Sequence, residues 1–372
     1  MMPKNVLGIV YSNSYDSCLK DLTQRRTMGS MLFGGRYRLI DFVLSNFVNS
    51  GMTRVGLITN SHFRSLMDHV GNGRPWDLSR KVDGLFLLPP FNPSNAEHDS
   101  TNKLEVLGRI KDFVKASNEK YILLSDTNFI CNIDLSQVFD FHTEKDADIT
   151  IVYKKGNLPS LENMMSLTVD ENSRITGVAV NPQNTENVNF STNIILMRKA
   201  LFESLVVDAL SAGCTSFEKD IIQKNVEHLN IYGYEFSGWG AEIDSVAKYF
   251  EANMALLDKE CRKDLFNKDR PVYTKVRNDM PVRYGVSSKV ENSLIADGCI
   301  IEGTVKNSVI FRGVNIAKGA VVENSIIMQD SFVSENVKLN CVIMDKDSVI
   351  TPNKNLSGDS SYPFIVGKNI VI

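Results

Sequence analysis

Short runs of β-branched and aliphatic residues recur through the first half of the chain, at Val6 to Val10, Val55 to Thr59, Tyr121 to Ser125 and Ile149 to Tyr153. Each is too short for a helix and apolar on both faces, the pattern of strands covered on two sides in a parallel sheet. Between the first two, Ile40, Val43, Leu44, Phe47 and Val48 fall on one helical face within Tyr37 to Ser50, and Gly51 stands where a C-terminal stop belongs. Leu104, Leu107, Ile110, Phe113 and Val114 repeat the helical period ahead of the strand at Tyr121. Strand, helix, strand, helix, strand predicts a doubly wound, Rossmann-like α/β domain.

The texture changes after about Glu260. Asp264 to Arg283 is charged and holds Pro271 and Pro281, which reads as a linker. Beyond it a motif recurs: Glu-Asn-Ser-Leu-Ile from 291, Lys-Asn-Ser-Val-Ile from 306, Glu-Asn-Ser-Ile-Ile from 323 and Leu-Asn-Cys-Val-Ile from 339. Its asparagines lie 15, 17 and 16 residues apart, near the length of one coil of a parallel β-helix. Ile310, Ile316 and Val322 are six apart, as are Val333 and Leu339, which suits a hexapeptide solenoid whose short strands each lay one aliphatic residue into a central stack. A β-sandwich with Asn-Ser turns is the alternative, but sandwich strands seldom repeat their residues this closely. The expected organisation is an α/β domain over residues 1–262, a linker over 263–283 and a solenoid over 284–372.

Composition narrows the partners. With 41 Lys and Arg against 44 Asp and Glu, the chain lacks the basic footprint of a nucleic-acid binder. The six cysteines are dispersed without a C-x-x-C pair, so they read as free thiols in a reducing compartment. Met-Met-Pro-Lys-Asn leads straight into a strand and no apolar run approaches a membrane span, so a cytoplasmic protein without a membrane partner is expected. His62, His69, His98, His142 and His228 show no metal-ligand spacing, and Trp76 reads as packing. No histidine follows His228, which disfavours the acyltransferases that use a histidine on such a solenoid.

An open α/β sheet binds ligands beyond the carboxyl ends of its strands, and the loop after Val10, Tyr11 to Cys18, contains no glycine. Longer motifs are informative: Phe33-Gly-Gly-Arg-Tyr-Arg-Leu-Ile-Asp-Phe-Val-Leu-Ser-Asn-Phe-Val-Asn-Ser-Gly51, Gly71-Asn-Gly-Arg-Pro-Trp-Asp-Leu78, Phe217-Glu-Lys-Asp-Ile-Ile222, Glu251-Ala-Asn-Met254 and Asn307-Ser-Val-Ile-Phe-Arg-Gly313. In these the chain resembles the bacterial glucose-1-phosphate adenylyltransferase (ADP-glucose pyrophosphorylase) family nearly end to end. The resemblance implies a GT-A-like nucleotidyltransferase domain followed by a left-handed parallel β-helix, a tetramer, and a place in glycogen synthesis. The family's reaction sends the phosphate of glucose 1-phosphate onto the α-phosphorus of ATP and releases pyrophosphate. That chemistry needs glycines that let backbone approach phosphate, cations that hold developing charge, and carboxylates that hold magnesium.

Carried over position by position, the resemblance implies that most of these provisions are gone. The family's Gly-Gly pair falls on Asn13 and Ser14, its loop arginine on Cys18, and its phosphate-facing lysine on Met28. The small residues that shape the base pocket fall on Thr101-Asn102-Lys103, placing a long charged chain where the nucleotide would enter. The magnesium-holding aspartate falls on Asn128, close to Asp126, and its partner on Glu242; the sugar-phosphate lysine falls on Asn181. An amide and a longer carboxylate suit the tight octahedron of magnesium poorly, so no metal site is expected in this chain, and Mg2+ enters only through a catalytic partner. Asp126, Lys103, Ser191, Asn193 and Lys219 are the implied remnants of the substrate pocket.

Arg25, Arg26, Arg36 and Arg38 lie where the family carries basic residues for anionic activators, and guanidinium forks match a phosphorylated small-molecule effector. A solvated basic face is the alternative, as an exposed ion pair is for Lys219-Asp220. Two functions follow from the resemblance. One is a GlgD-type regulatory subunit, catalytically degenerate, that assembles with a catalytic paralogue into a hetero-oligomer. The other is an active sugar-nucleotide pyrophosphorylase with a rearranged site built from Asp126, Glu242 and Lys103.

Overall fold

The computed structural model describes residues 5–59, 62–89 and 102–372. The N-terminal α/β unit is built on a nine-stranded mixed sheet whose strands run from Val6 to Glu235. Its parallel centre is β1 (Val6–Tyr11), β2 (Arg54–Ile58), β3 (Gly84–Leu88) and β4 (Tyr121–Asp126), with β1 between β2 and β4. The two-sided apolar character of these strands has its cause here, because helices cover both faces: one core holds Leu7, Ile9, Ile122 and Leu124, the other Val6, Val10, Val55 and Leu57. Helix α1 (Leu39–Asn49) lies on the second face and ends at Gly51, whose φ of 88° is the left-handed stop the sequence predicts.

Three local expectations change. Tyr37 and Arg38 are not helical; they pair back on Leu32 and Phe33 in a tight hairpin through Gly34 and Gly35, both at positive φ. Gly34 suits its left-handed φ of 59°, and a Cβ there would also lie 2.9 Å from a Leu256 methyl, which would have to shift. The helical period from Leu104 to Val114 is split into α2 (Lys103–Arg109) and α3 (Lys111–Lys115) by Ile110 at φ −89°, ψ 5°. The run at Ile149 forms β5 (Ile149–Gly156), which is buried but pairs antiparallel to β6 (Val188–Arg198) and parallel to β7 (Ile231–Glu235), so the sheet is mixed rather than parallel.

From Arg283 onward the chain forms a left-handed β-helix of three parallel sheets with five short strands each. Ile310, Ile316 and Val322 occupy the three walls of one coil and are fully buried in a single stack with Ile327, Val333 and Leu339. The recurrent asparagines turn the corners: Asn292, Asn307 and Asn324 sit at φ 43 to 46° and pass a hydrogen bond from side chain to side chain. In the fourth coil the register is one residue later than the sequence motif suggests. Glu323 faces Asn340, so Cys341, at φ 52°, holds the corner.

One wall of the solenoid is apolar on both sides. Val309, Phe311, Ile326, Met328 and Ile343 join Leu32, Phe33, Phe42, Tyr249 and Phe250 in a core that docks the solenoid on the α/β unit. The charged stretch read as a linker is a strap bonded to that unit. Asn49 donates to the Pro271 carbonyl at 3.0 Å, the Tyr273 amide to Ser45 Oγ at 2.9 Å, and Lys275 to the Asp68 carbonyl at 2.6 Å.

Candidate functional site

A cleft of about 930 Å³ opens beyond the carboxyl ends of β1, β2 and β3, as expected for an open α/β sheet. The glycine-free loop after β1 is not a cradle of free amides. It folds into 3-10 turns over Asp16–Leu22, with Lys20 at φ 46°. Ser12 Oγ is tied to the Ile58 carbonyl at 2.8 Å, and the Met28 amide donates to Asp16 Oδ1 at 2.6 Å. Tyr15 is packed inward and bonded through its hydroxyl to Asn193 Nδ2 at 3.1 Å. Burial, reinforced by the charges of Asp126 and Glu218, holds its phenol well above the ordinary range.

Two buried polar clusters lie close by, and of their members Lys103 and Glu218 line the cleft. In the first, Lys103 at the start of α2 reaches between two buried carboxylates, with Nζ 3.2 Å from Asp126 Oδ2 and 3.6 Å from Glu218 Oε1. Tyr11 fixes the lysine backbone by donating its hydroxyl to the Lys103 carbonyl at 2.9 Å, and the ammonium lies 5.8 Å from the Tyr11 ring. Burial pulls the lysine down, but the two carboxylates outweigh it and hold Lys103 above its ordinary value, so it is charged. Burial lifts Asp126 above the usual carboxylate range even against the lysine.

In the second, Glu242 is brought to Asn128 by an antiparallel pair, Gly240–Glu242 against Phe129–Cys131. Asn128 Nδ2 donates to Glu242 Oε1 at 2.5 Å. Burial, with the charges of Asp126 and Asp244, pushes the Glu242 carboxyl well above the carboxylate range, which favours its neutral form. A magnesium ion needs ionised carboxylate oxygens free to approach it. Here one carboxylate oxygen is taken by an amide N–H and the acid leans to neutrality, so these residues do not fit the ion. No group of three or more His, Cys, Asp or Glu placed for a metal occurs among the described residues.

The remaining expected site residues are dispersed. Cys18 is half-buried in the cleft wall, its thiol raised by burial and by Asp244. Met28 does not face the cleft; its side chain is fully buried in the apolar core beside Leu19 and Tyr249. Asn181 is exposed, at φ 51°, and is not part of the cleft wall. Ser191 and Asn193 are buried at an irregularity of β6 and support Tyr15. Lys219 is exposed, and its neighbour Asp220 pairs with Lys224 at 2.6 Å, which with the amides of Ser216 and Thr215 lowers that acid to about 2. Glu218 is the residue that sequence reasoning missed. Its signal was a carboxylate between Phe217 and the apolar Ile221 and Ile222, on the buried side of its helical turn. Thr101 and His98 lie outside the described residues.

The four arginines expected to bind an anion do not act as one group. Arg25 is exposed, whereas Arg26 is buried and paired with Asp345 of the solenoid. Arg36 pairs with Asp297, and Arg38 donates to the Ser65 carbonyl at 2.7 Å. Arg36 and Arg38 nevertheless line a second, smaller cavity of about 160 Å³ between the α/β unit, the strap and the solenoid, with His69, Lys275, Arg277 and Arg312. Burial, and the neighbouring charge of Arg26, depress Arg38 to about 10; burial and Arg36 depress Arg312. Carboxylates answer several of these cations: Arg36 and Arg312 lie against Asp297, and Arg277 is paired with Asp279 and Asp330. Trp76 and His69 are structural: Trp76 is buried against the His69 ring, and His69 bonds Asp41 at 2.5 Å.

Residues 15–259 match the family model described as Nucleotidyl transferase, and residues 279–362 the one described as GlmU-like, C-terminal hexapeptide. The chain is 37% identical over 370 residues to the Glycogen biosynthesis protein GlgD of Geobacillus stearothermophilus, across 100% of this chain and 98% of that protein. It is 33% identical over 371 residues to the protein of the same name from Bacillus subtilis (strain 168), with 100% and 98% covered. It is 30% identical over 359 residues to the Glucose-1-phosphate adenylyltransferase of Bacillus anthracis, with 94% and 96% covered.

Proposed function

The chain belongs to the bacterial glucose-1-phosphate adenylyltransferase family, and within it to the GlgD type; from that premise we propose that it is a regulatory, catalytically degenerate subunit in glycogen biosynthesis. It assembles with a catalytic paralogue that makes ADP-glucose from ATP and glucose 1-phosphate, and Mg2+ acts only in that partner. One observation carries the reading: the polar groups at and behind the cleft are engaged with one another, the Lys103 ammonium with Asp126 and Glu218, and Glu242 with the neutral amide of Asn128. Phosphoryl transfer needs those charges aimed at the substrate and its metal, and losing one such group costs about 10²–10³ in rate. An active rearranged site would need Asp126, Glu242 and Lys103 free, and each is engaged.

Regulation has a second support. The cavity lined by Arg36, Arg38, Lys275, Arg277 and Arg312 is small, basic and shared by both halves of the chain. A phosphorylated effector there would be held by guanidinium forks and would tie the solenoid to the α/β unit. Coupling of this kind is reciprocal: substrate in the catalytic partner should tighten effector binding as much as effector tightens substrate. The test is reconstitution. Mixed with the catalytic subunit, this chain should co-elute as a hetero-oligomer whose apparent affinity for ATP or effector differs from that of the catalytic subunit alone. A catalytic subunit with unaltered kinetics and no co-elution would refute the proposal.

A further inference from the structure

The seat between Asp126 and Glu218 is built for a cation and already holds one. Both carboxylates are almost fully buried, at 2% and 3% exposure, and they lie on different elements, Asp126 at the end of β4 and Glu218 in the helical turn Phe217–Ile222. Two buried carboxylates that converge without a cation would repel each other and lose their hydration. Lys103 resolves both costs: its ammonium sits within ion-pair distance of each, with the Phe217 ring 5.9 Å away. One oxygen is weakly engaged: Asp126 Oδ1 is buried and makes no regular hydrogen bond, with only the Ser14 hydroxyl acting on this carboxylate besides the lysine. An ammonium has three donors and no further reach, whereas a divalent ion gathers six or more oxygens and would draw on that one.

We infer that Lys103 is the specificity-determining residue of the cleft, a tethered cation occupying a dicarboxylate seat that would otherwise take a divalent metal ion. The seat is distinct from the Asn128–Glu242 pair, whose amide is itself the donor. The lysine excludes metal by charge and by volume, and with it any ligand that enters as a metal–phosphate complex. The inference accounts for why an intact cleft of about 930 Å³ need not be a nucleotide site.

The test is Mn2+ binding to the full chain, followed by electron paramagnetic resonance and by the shift in thermal midpoint on adding the metal. The wild-type chain should neither bind Mn2+ in the cleft nor be stabilised by it. Lys103→Ala should gain one Mn2+ per chain and a metal-dependent rise in midpoint, and Lys103→Ala with Glu218→Gln should lose both. Lys103→Ser, which also empties the seat and suits a helix start, serves if the alanine chain does not fold. Failure of whichever variant folds to bind Mn2+ overturns the inference, as does Mn2+ binding by the wild type that Glu218→Gln abolishes. These readouts involve no turnover and no partner, so they can fail while the regulatory proposal stands, and the reverse.

Discussion

Asp345 is expected to hold the two halves of the chain together far more than its single carboxylate suggests. It lies in the solenoid at 1% exposure, paired with Arg26 of the α/β unit at 4% exposure. Removing one partner of a buried pair costs about 3–5 kcal/mol because the other charge stays buried without compensation. The cost is asymmetric here. Asp345→Asn leaves Arg26 beside Arg38 and Lys346, and the last two are already depressed by burial and by their cationic neighbours, Lys368 among them for Lys346. Arg26→Met leaves Asp345 with the Lys346 amide, which donates to Oδ1 at 2.7 Å, and with those same cations nearby. Asp345→Asn should therefore destabilise by about 3–5 kcal/mol and Arg26→Met by only about 1–2 kcal/mol. Urea unfolding followed by circular dichroism and tryptophan fluorescence reads the difference, and inorganic phosphate should restore part of the loss in Asp345→Asn alone. Equal costs, or a larger cost for Arg26→Met, would refute the reasoning.

Cys341→Asn should raise stability by about 0.5–1 kcal/mol in thermal melts, since asparagine tolerates the left-handed corner that cysteine holds at φ 52° and can extend the side-chain ladder. Asn324→Ala, at a corner bonded to Asn307 and Asn340, should cost about 1–2 kcal/mol by the same measurement. His142 is buried against Thr150 and pushed down to about 4 by burial and by Arg198. From its ordinary 6.5 down to about 4 the unfolded chain takes up a proton that the folded chain refuses, so stability falls with pH across that window and is unaffected above it. His142→Gln should flatten that part of the pH profile in urea titrations; an unchanged slope would assign the acid sensitivity elsewhere.

The sequence pattern carried the architecture because burial imposes it. Six-residue spacing put Ile310, Ile316 and Val322 on the three walls of a coil, and two-sided apolar runs became the centre of the sheet. Register was less legible where one residue substitutes for another in a strained role: Cys341 at an asparagine corner displaced the fourth repeat by one position. The site was legible as a set of losses and opaque as a set of contacts. Lys103 could be read as an intruder in the cleft, but its second carboxylate, Glu218, is 115 positions away and meets it only when the start of α2 and the Phe217 turn are brought together. Arg26 reads as one of four neighbouring arginines, yet its partner Asp345 lies in the other half of the chain. Met28 aligned with a phosphate-facing position and packs into the core, because an apolar side chain at the base of that loop gains more from burial than from facing water.

The most direct test of the central claim is turnover by the purified chain on its own, with ATP, glucose 1-phosphate and Mg2+, read as ADP-glucose and pyrophosphate formed. With Lys103 held by Asp126 and Glu218, and Glu242 held by Asn128, little or no ADP-glucose should form. Robust turnover that Asp126→Asn abolishes would contradict the account.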